Sequence, residues 1–413
     1  LNEPNLFLSS HYWSISPKND CEITKSKIKV GFDSDSSYLG LLGEFISKNL
    51  FAVPEIFKSI RDIDDFEYLT LLFLVKNKHL GLISIWSPTF LTVLLSSLVK
   101  HYSQIIDDIE NGEYKNDDMD RALLLKINTY LKKDKKRAEY LKTIDITKKS
   151  NTEKIWQNLK IISVWDDGSS KLFIKDLKEY FPNILIEGKG LLSTECVVSI
   201  PFGKSRVKTI AVNSHYFEFI DESNDSIKNL WEIEIGKRYI VVVTTSGGLY
   251  RYNTNDIVEV TDFYNKIPVI KFISRTNDVT DLVGEKLNVE FVADIINKIE
   301  IKYNIKFNFK LLFPVKSESF LSYCFAADFN KSDLITNIQK DFENFLRENF
   351  HYNYAREIKQ LENLKMFIID NDNGQKKYYN YLLKKGMTPG NIKNTVLSKE
   401  FNLHNNFDGR FYE

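Results

Sequence analysis

Cysteine, histidine and charge imbalance are all scarce in this sequence. The three cysteines among its 413 residues, Cys21, Cys196 and Cys324, are odd in number and widely spaced. That argues against a disulfide framework and for a reducing compartment. The six histidines, His11, His79, His101, His215, His351 and His404, include no pair at a ligand spacing such as H-x-x-x-H. Histidine-based metal chemistry therefore has no sequence support. Lys plus Arg equals Asp plus Glu at 56 each, so no overall field draws the chain to nucleic acid or to an anionic membrane. No basic segment followed by an apolar run opens the sequence at Leu1, so no signal peptide is read there. The expectation is a cytoplasmic protein that binds neither nucleic acid nor membrane.

Long apolar runs are also missing, with one stretch to weigh. Leu80 to Val99 carries no charged residue over about the length of a bilayer-crossing helix. Its internal punctuation reads otherwise. Leu80 to Trp86 looks like a short buried strand, Ser87 is a good helix N-cap, and Pro88 suits the first helical position. Leu91, Leu94, Leu95 and Leu98 then share one helical face. The spacing predicts a strand, a turn and a helix rather than a span.

What the sequence does have is apolar and aromatic bulk: 43% apolar residues, with 29 Phe and 21 Tyr. That excludes global disorder, and the length suits two or three domains. The first 150 residues are mostly helical in pattern, with helices expected over Tyr38 to Leu50, Pro54 to Asp62, Asp65 to Lys76 and Asp118 to Lys132. Strands at Ile161 to Trp165 and Asn183 to Glu187 around a helix from Lys171 to Tyr180 make an α/β unit. Strands then follow at Trp231 to Ile235, Tyr239 to Thr245, Leu249 to Tyr252, Ile257 to Val260 and Val269 to Ile273, with Gly247 and Gly248 supplying a turn. Val289, Val292, Ile295, Ile296 and Ile299 form a helical stripe. Ile305, Phe307 and Phe309 alternate as a half-buried strand, Phe320 to Phe329 can pair with it, and Leu334 to Leu346 is amphipathic. The tail from residue 276 reads as a small α+β domain behind a larger α/β one, with the joint near Arg275 to Gly284.

Gly203-Lys204-Ser205 resembles the end of a Walker loop, but the required glycine five positions earlier is Val198, so that reading fails. Three other segments are harder to explain by packing. Gly188-Lys189-Gly190-Leu191-Leu192-Ser193-Thr194-Glu195 sets a hydroxyl beside a carboxylate after a strand, where ligands bind in α/β sheets. Thr244 to Asp256 ends in an Asp just past an aromatic and Arg-containing strand. Arg275 to Leu287 concentrates charge and one glycine at the expected joint, as a hinge carrying ligand groups would.

In this order, the three segments resemble one family, the plant auxin-responsive Gretchen Hagen acyl-acid amido synthetases and their bacterial relatives, a branch of the adenylate-forming enzymes. The resemblance runs from His11-Tyr12-Trp13-Ser14-Ile15-Ser16-Pro17 through Ile85-Trp86-Ser87-Pro88 to the C-terminal region, and is most specific from Thr244 to Lys286. It implies a main adenylate-forming domain of mixed sheets and helices over 1–275, and a smaller α+β lid domain over 276–413. It further implies ATP and Mg²⁺ as cofactors, and a small carboxylic acid and an amino acid as substrates. Ser193 and Thr194 would face the nucleotide, with the Thr194 hydroxyl on the α-phosphate and the Glu195 carboxylate holding Mg²⁺. Asp256 would accept from the ribose hydroxyls. Arg275 matches the arginine before the hinge, and Lys286 the lysine that reaches the nucleotide phosphate. Gly390-Asn391-Ile392-Lys393 is similar to the lid segment whose lysine completes the adenylation site, which makes Lys393 a catalytic candidate with Lys286 and Thr194.

The sequence departs from the family pattern in places. The Ser/Thr/Gly-rich phosphate loop is not in it, and is expected upstream of Leu1 in a truncated chain. Asn255, Cys196 and Ser274 stand where the family usually has Gly, and Leu191 and Leu192 stand where many adenylating enzymes put an aromatic. Asn tolerates positive φ better than other non-glycine residues, so the turn at Asn255 can survive. Two further readings stand beside the amido synthetase: a catalytically silent relative that binds a ligand or partner, and a ligase of the same superfamily that passes its acyl group to a thiol.

Overall fold

The computed structural model of the chain describes residues 6, 9–14, 22–23, 26, 29–30, 50–276, 279–317, 321–329, 332–370, 373–387, 392 and 395–412. Two compact units emerge: Leu1–Trp165 with Phe173–Glu187 and Gly386–Lys393, and Asp166–Leu172 with Gly188–Lys385 and Asn394–Glu413.

In the first unit the strands are β1 (Ser10–Trp13), the short antiparallel pair β2 (Glu22–Ile23) and β3 (Lys29–Val30), then β4 (Leu80–Ser84), β5 (Ile161–Val164) and β6 (Leu185–Gly188). A four-stranded sheet takes the order β1-β4-β5-β6, with β4 parallel to both β1 and β5. The helices are α1 (Ile63–Lys76), α2 (Pro88–Asn111), α3 (Arg121–Asn128), α4 (Lys135–Lys142) and α5 (Lys171–Tyr180). Leu80, Ile83, Ile162 and Val164 are fully buried, as expected for parallel strands covered by helices. The charge-free stretch resolves into β4, a turn and the first half of α2. Ser87 is at the N-cap and Pro88 at the first helical position, and Gly112 ends the helix in the left-handed region at φ +72°. Among the described residues, no helix is long and apolar enough to cross a membrane.

The expected helices need trimming. Pro54 to Asp62 is a short 3-10 turn, Glu55–Ser59, and Asp118 to Lys132 contracts to α3 because Asp120 caps it by accepting from the Leu123 amide at 2.9 Å. All of Tyr38 to Leu50 except Leu50 lies outside the described residues, as do Ile15-Ser16-Pro17 and Cys21. The long α1 is buried over most of its length, and its C-terminal carbonyls are satisfied by side chains. Arg137 donates to the Val75 carbonyl through Nε and Nη2 at 3.0 and 2.6 Å, and to the Ile155 carbonyl at 2.7 Å. Trp156 Nε1 donates to the Leu74 carbonyl at 2.7 Å.

The second unit holds a seven-stranded antiparallel sheet built from β7 (Ser199–Phe202), β8 (Val207–Ile210), β9 (Tyr216–Asp221), β10 (Ile227–Asn229), β11 (Arg238–Thr244), β12 (Tyr252–Tyr264) and β13 (Ile267–Arg275). Its order is β10-β9-β11-β12-β13-β8-β7. Next come the small pair β14 (Val279–Thr280) and β15 (Leu287–Asn288), and helix α6 (Val289–Tyr303) on the expected stripe. A second sheet, β16 (Lys310–Lys316), β17 (Leu321–Asp328), β18 (Lys365–Ile369) and β19 (Gly409–Tyr412), packs with α7 (Ile335–Leu346) and α8 (Phe350–Glu357), and the Gly374 amide at the start of α9 (Gly374–Lys384) donates to Asp328 Oδ2 at 3.3 Å.

Three expected strands fail for local reasons. Trp231 to Ile235 is a turn: the Glu232 carboxylate accepts from the backbone and side-chain nitrogens of Asn229 at 2.7 and 2.9 Å, a bond that competes with strand pairing. Leu249 to Arg251 belongs to the Gly247-Gly248 turn, closed by the Thr245 amide on the Leu249 carbonyl at 2.8 Å. Ile305 to Phe309 is irregular. Both Phe307 and Phe309 are buried there, the Phe307 amide is taken by Glu300 Oε1 at 3.0 Å, and the strand begins only at Lys310.

Arg137→Met should cost the first unit about 2–4 kcal/mol, because buried carbonyls at the end of α1 lose charge-assisted donors. Urea unfolding followed by tryptophan fluorescence measures it. A loss below about 0.5 kcal/mol, within the range of neutral surface substitutions, would show that those carbonyls find other donors.

Candidate functional site

The segment after β6 folds back on itself. Gly190 sits at φ +81°, and a Cβ there would stand 2.3 Å from the Ser199 carbonyl oxygen, so only glycine fits. The Leu191 amide donates to Ser199 Oγ at 2.9 Å and the Val198 amide to the Leu191 carbonyl at 2.9 Å. Leu192 pairs with Val197, and the hairpin closes through Ser193: its amide donates to the Cys196 carbonyl at 3.0 Å, and its Oγ accepts from the Cys196 amide at 3.2 Å. Thr194 and Glu195 are left exposed at the tip. From below, His215 Nε2 accepts from the Val197 amide at 3.2 Å and Ser214 Oγ donates to the Val197 carbonyl at 2.9 Å.

The second segment runs from the end of β11 through the Gly247-Gly248 turn into β12. Between the pairs Ile240↔Ile257 and Val242↔Asn253, β12 sets Thr254, Asn255 and Asp256 against Val241, which is a bulge. Asn255 occupies the left-handed region at φ +61°, as expected for Asn in a glycine position. The bulge is tied down locally. Thr254 Oγ1 donates to the Val241 carbonyl at 2.9 Å, and the Asn255 amide bonds the Asn253 side-chain oxygen at 2.8 Å. Thr276 reaches Asn255 with its amide at 2.9 Å and its hydroxyl at 3.1 Å.

Asp256 is thereby turned inward. It is 1% exposed, and its Oδ1 accepts from Arg275 Nε at 2.8 Å, directly across the β12–β13 ladder. The Arg275 side chain is half exposed. At the head of β12, the Tyr252 hydroxyl donates to Glu195 Oε1 at 3.4 Å and so links the first segment to the second. Burial pushes the Cys196 thiol up; the Ser193 hydroxyl partly offsets this, and the charges of Asp256 and Glu195 add to it.

A buried charge cluster lies nearby in the chain. Lys208 Nζ, on β8, pairs with Asp166 and, at 2.7 Å, with Asp167. Burial pushes the Asp167 carboxyl up, and Lys208 pulls it back. The failed Walker segment, Gly203-Lys204-Ser205, is the turn between β7 and β8.

In the third segment, Asn277 and Asp278 lie outside the described residues. Lys286 is exposed, with φ +48°, and among the described residues it forms no hydrogen bond or ion pair with Thr194, Glu195 or Asp256. Gly390, Asn391 and Lys393 also lie outside the described residues, so the Lys393 expectation has no structural counterpart; Ile392 is buried.

The fold thus pairs Asp256 with Arg275, sets Tyr252 of the same strand on Glu195, keeps Ser193 engaged in closing its own turn, and presents Thr194 and Lys286 to solvent. Sequence reasoning missed Tyr252, although it lay inside a quoted segment, and His215, which had no distinguishing signal. Among the described residues, no group of three or more His, Cys, Asp or Glu could hold a metal. A single exposed carboxylate such as Glu195 does fit Mg²⁺, which is held by one or two carboxylates together with substrate phosphates.

Comparison with known proteins bears on these segments. The profile of the GH3 family N-terminal domain matches residues 4–186, and that of the GH3 family central domain matches residues 208–275. Together they cover more than half of the chain. The first match ends beside the boundary of the first compact unit. The chain is 32% identical over 231 residues to the indole-3-acetic acid-amido synthetase GH3.4 of Arabidopsis thaliana, covering 52% of this chain and 38% of that protein. It is 30% identical over 189 residues to the probable indole-3-acetic acid-amido synthetase GH3.9 of Oryza sativa subsp. japonica, covering 42% of each. The aligned part therefore spans about two fifths of these curated relatives. Among solved structures, AtGH3.15 acyl acid amido synthetase in complex with 2,4-DB superposes with a TM-score of 0.81 at 18% identity, over 96% of this chain and 72% of that one, and establishes the shared fold.

Cys196 and Cys324 are both buried, and burial pushes both thiols up. In the folded protein at pH 8 each should react with iodoacetamide at least roughly tenfold more slowly than in urea, because the thiolate is the nucleophile. Peptide mass spectrometry measures the rates. Alkylation of Cys196 at its unfolded rate would mean that the 193–197 hairpin is open.

Proposed function

This chain belongs to the GH3 family, and from that premise we propose that it works in the cytoplasm as an ATP-dependent acyl-acid amido synthetase, joining a small carboxylic acid to the amine of an amino acid. A carboxylate is a poor electrophile. In the first step its oxygen attacks the α-phosphorus of ATP and pyrophosphate leaves, giving an acyl-adenylate. In the second, the amine attacks the acyl carbon, the bond to AMP breaks, and the amide forms as the nitrogen loses a proton.

The proposed division of labour follows the chemistry. Both partners of the first step are anions, so fixed donors and cations must offset charge that builds on phosphoryl oxygens. Ser193 and Thr194 line the nucleotide, with the Thr194 hydroxyl on the α-phosphate. Lys286 reaches the same phosphate, and Lys393 completes the adenylation site. Glu195 would hold Mg²⁺, which when bound neutralises triphosphate charge and eases departure of pyrophosphate. Asp256 accepts from the ribose hydroxyls, with Arg275 keeping its carboxylate oriented. Two steps with different needs at one site call for a main domain over 1–275 and a lid over 276–413, hinged near Arg275 to Gly284.

One observation carries this reading. Across the β12–β13 ladder Arg275 pairs with the buried Asp256, and Tyr252, at the head of the same strand, bonds Glu195, 61 positions before Asp256 by residue number. An acid, a buried acid and a half-exposed cation gathered in this way suit a ligand that bears hydroxyls and phosphates.

The test is carboxylate-dependent pyrophosphate exchange over a panel of aliphatic and aromatic acids, on the protein together with any segment encoded before Leu1. Exchange is expected with at least one acid, and amide formation with an amino acid. Asp256→Ala and Lys393→Ala should each lower the rate by roughly 10²–10³. A folded protein that exchanges with no acid would leave a ligand-binding role, and product formed only with thiols would reassign the acceptor.

A further inference from the structure

The loop that carries Lys286 is built around a buried acid. Glu285 is 0% exposed. Its Oε1 accepts from the Leu282 amide at 2.8 Å and its Oε2 from the Val283 amide at 2.9 Å. Tyr323, fully buried on β17, donates its hydroxyl to Oε1, and that hydroxyl also stands 2.9 Å from Thr280 Oγ1. Burial and the Glu285 charge push the Tyr323 phenol far up, so it stays a donor. Asp281 Oδ1 accepts from the Gly284 amide at 2.6 Å, and the pairs Val279↔Asn288 and Thr280↔Leu287 close the base of the loop.

Two consequences follow. A carboxylate withdrawn from water is costly unless its oxygens are satisfied, and here backbone donors from the loop and a phenol from β17 satisfy both. The loop is thereby tied to the sheet of β16 to β19. Directly after Glu285, Lys286 is held at φ +48° with its side chain in solvent. A non-glycine residue stays in that region only where its surroundings over-determine it, and such strain gathers at functional sites.

We infer that Glu285 and Tyr323 are positioning residues whose buried hydrogen bonds fix the direction in which Lys286 is presented. This rests on the reading of Lys286 as a nucleotide-phosphate ligand. Gln at 285 has the same shape but one acceptor oxygen, so its NH₂ would face one of the two backbone amides and the loop would open. Phe at 323 removes one donor and leaves both backbone bonds, which makes it the milder variant should E285Q fold poorly.

The experiment uses the full chain as wild type, E285Q, Y323F, K286A and the E285Q/K286A double variant, with circular dichroism as the check on folding. The first readout is acetylation of Lys286 by acetic anhydride with and without ATP, located by peptide mass spectrometry. ATP should protect Lys286 in the wild type and fail to do so in E285Q, with Y323F in between. The second is amide hydrogen exchange at Leu282 and Val283, which should quicken at least roughly tenfold in E285Q while β16 and β17 hold their protection. The third is pyrophosphate exchange. There kcat should fall roughly 10- to 100-fold in E285Q with KM for the acid nearly unchanged, and the double variant should be no slower than K286A.

Equal protection by ATP in wild type and E285Q, no protection in wild type, or additive losses in the double variant would each overturn the assignment. A wild type that binds ATP over Lys286 but exchanges with no acid would instead defeat the amido-synthetase reading and leave the positioning role standing on the first two readouts.

Discussion

The ladder between β12 and β13 is the contact on which the rest of the site depends. It sets Asp256 opposite Arg275, so that a buried carboxylate meets a guanidinium across neighbouring strands. A regular strand would alternate residues 254, 255 and 256 between the faces. The bulge at Asn255 sets three residues against Val241 and leaves Thr254 and Asp256 buried on either side of Asn255, while Tyr252, at the head of the same strand, stays beside Glu195. Without the bulge, the second segment would be one more stretch of antiparallel sheet.

Buried charge recurs in this molecule as a way of pinning irregular backbone. Arg137 ends α1 and Lys208 bridges Asp166 and Asp167. Glu285 centres the loop before β15. Glu343 on α7 takes the Tyr352 hydroxyl and the Leu364 amide, each at 2.9 Å, and Arg356 Nε at 2.8 Å. Burial alone would raise the Glu343 carboxyl, yet these donors hold it below its ordinary value. In each case the charged group bonds backbone or polar side chains, and desolvation makes those bonds exacting.

Much of the secondary structure was legible because it rested on periodicity and caps. Lys171–Tyr180 and Val289–Tyr303 are helices where their apolar stripes run, and Ser87 and Pro88 start α2 by backbone chemistry that acts within a few residues. Several of the failures share a cause. Glu232 bonding Asn229, Glu300 bonding the Phe307 amide, and Asp120 capping α3 are side-chain contacts that outbid intrinsic strand or helix preference. At Ile305 to Phe309 the alternating burial holds, with Phe307 and Phe309 in the core and Lys306 and Asn308 exposed, but the strand begins only at Lys310.

Residue chemistry and order along the chain sufficed to single out the three segments, to draw the family resemblance that the comparisons bear out, and to anticipate a left-handed Asn255, because conformational tolerance is a property of the residue itself. Neighbourhood was not written there. That Tyr252 touches Glu195, that Asp256 faces Arg275, and that Tyr323 of β17 reaches Glu285 follow from strand register and packing. Those are cooperative properties of the packed chain, decided where backbone donors and acceptors find partners far away in sequence.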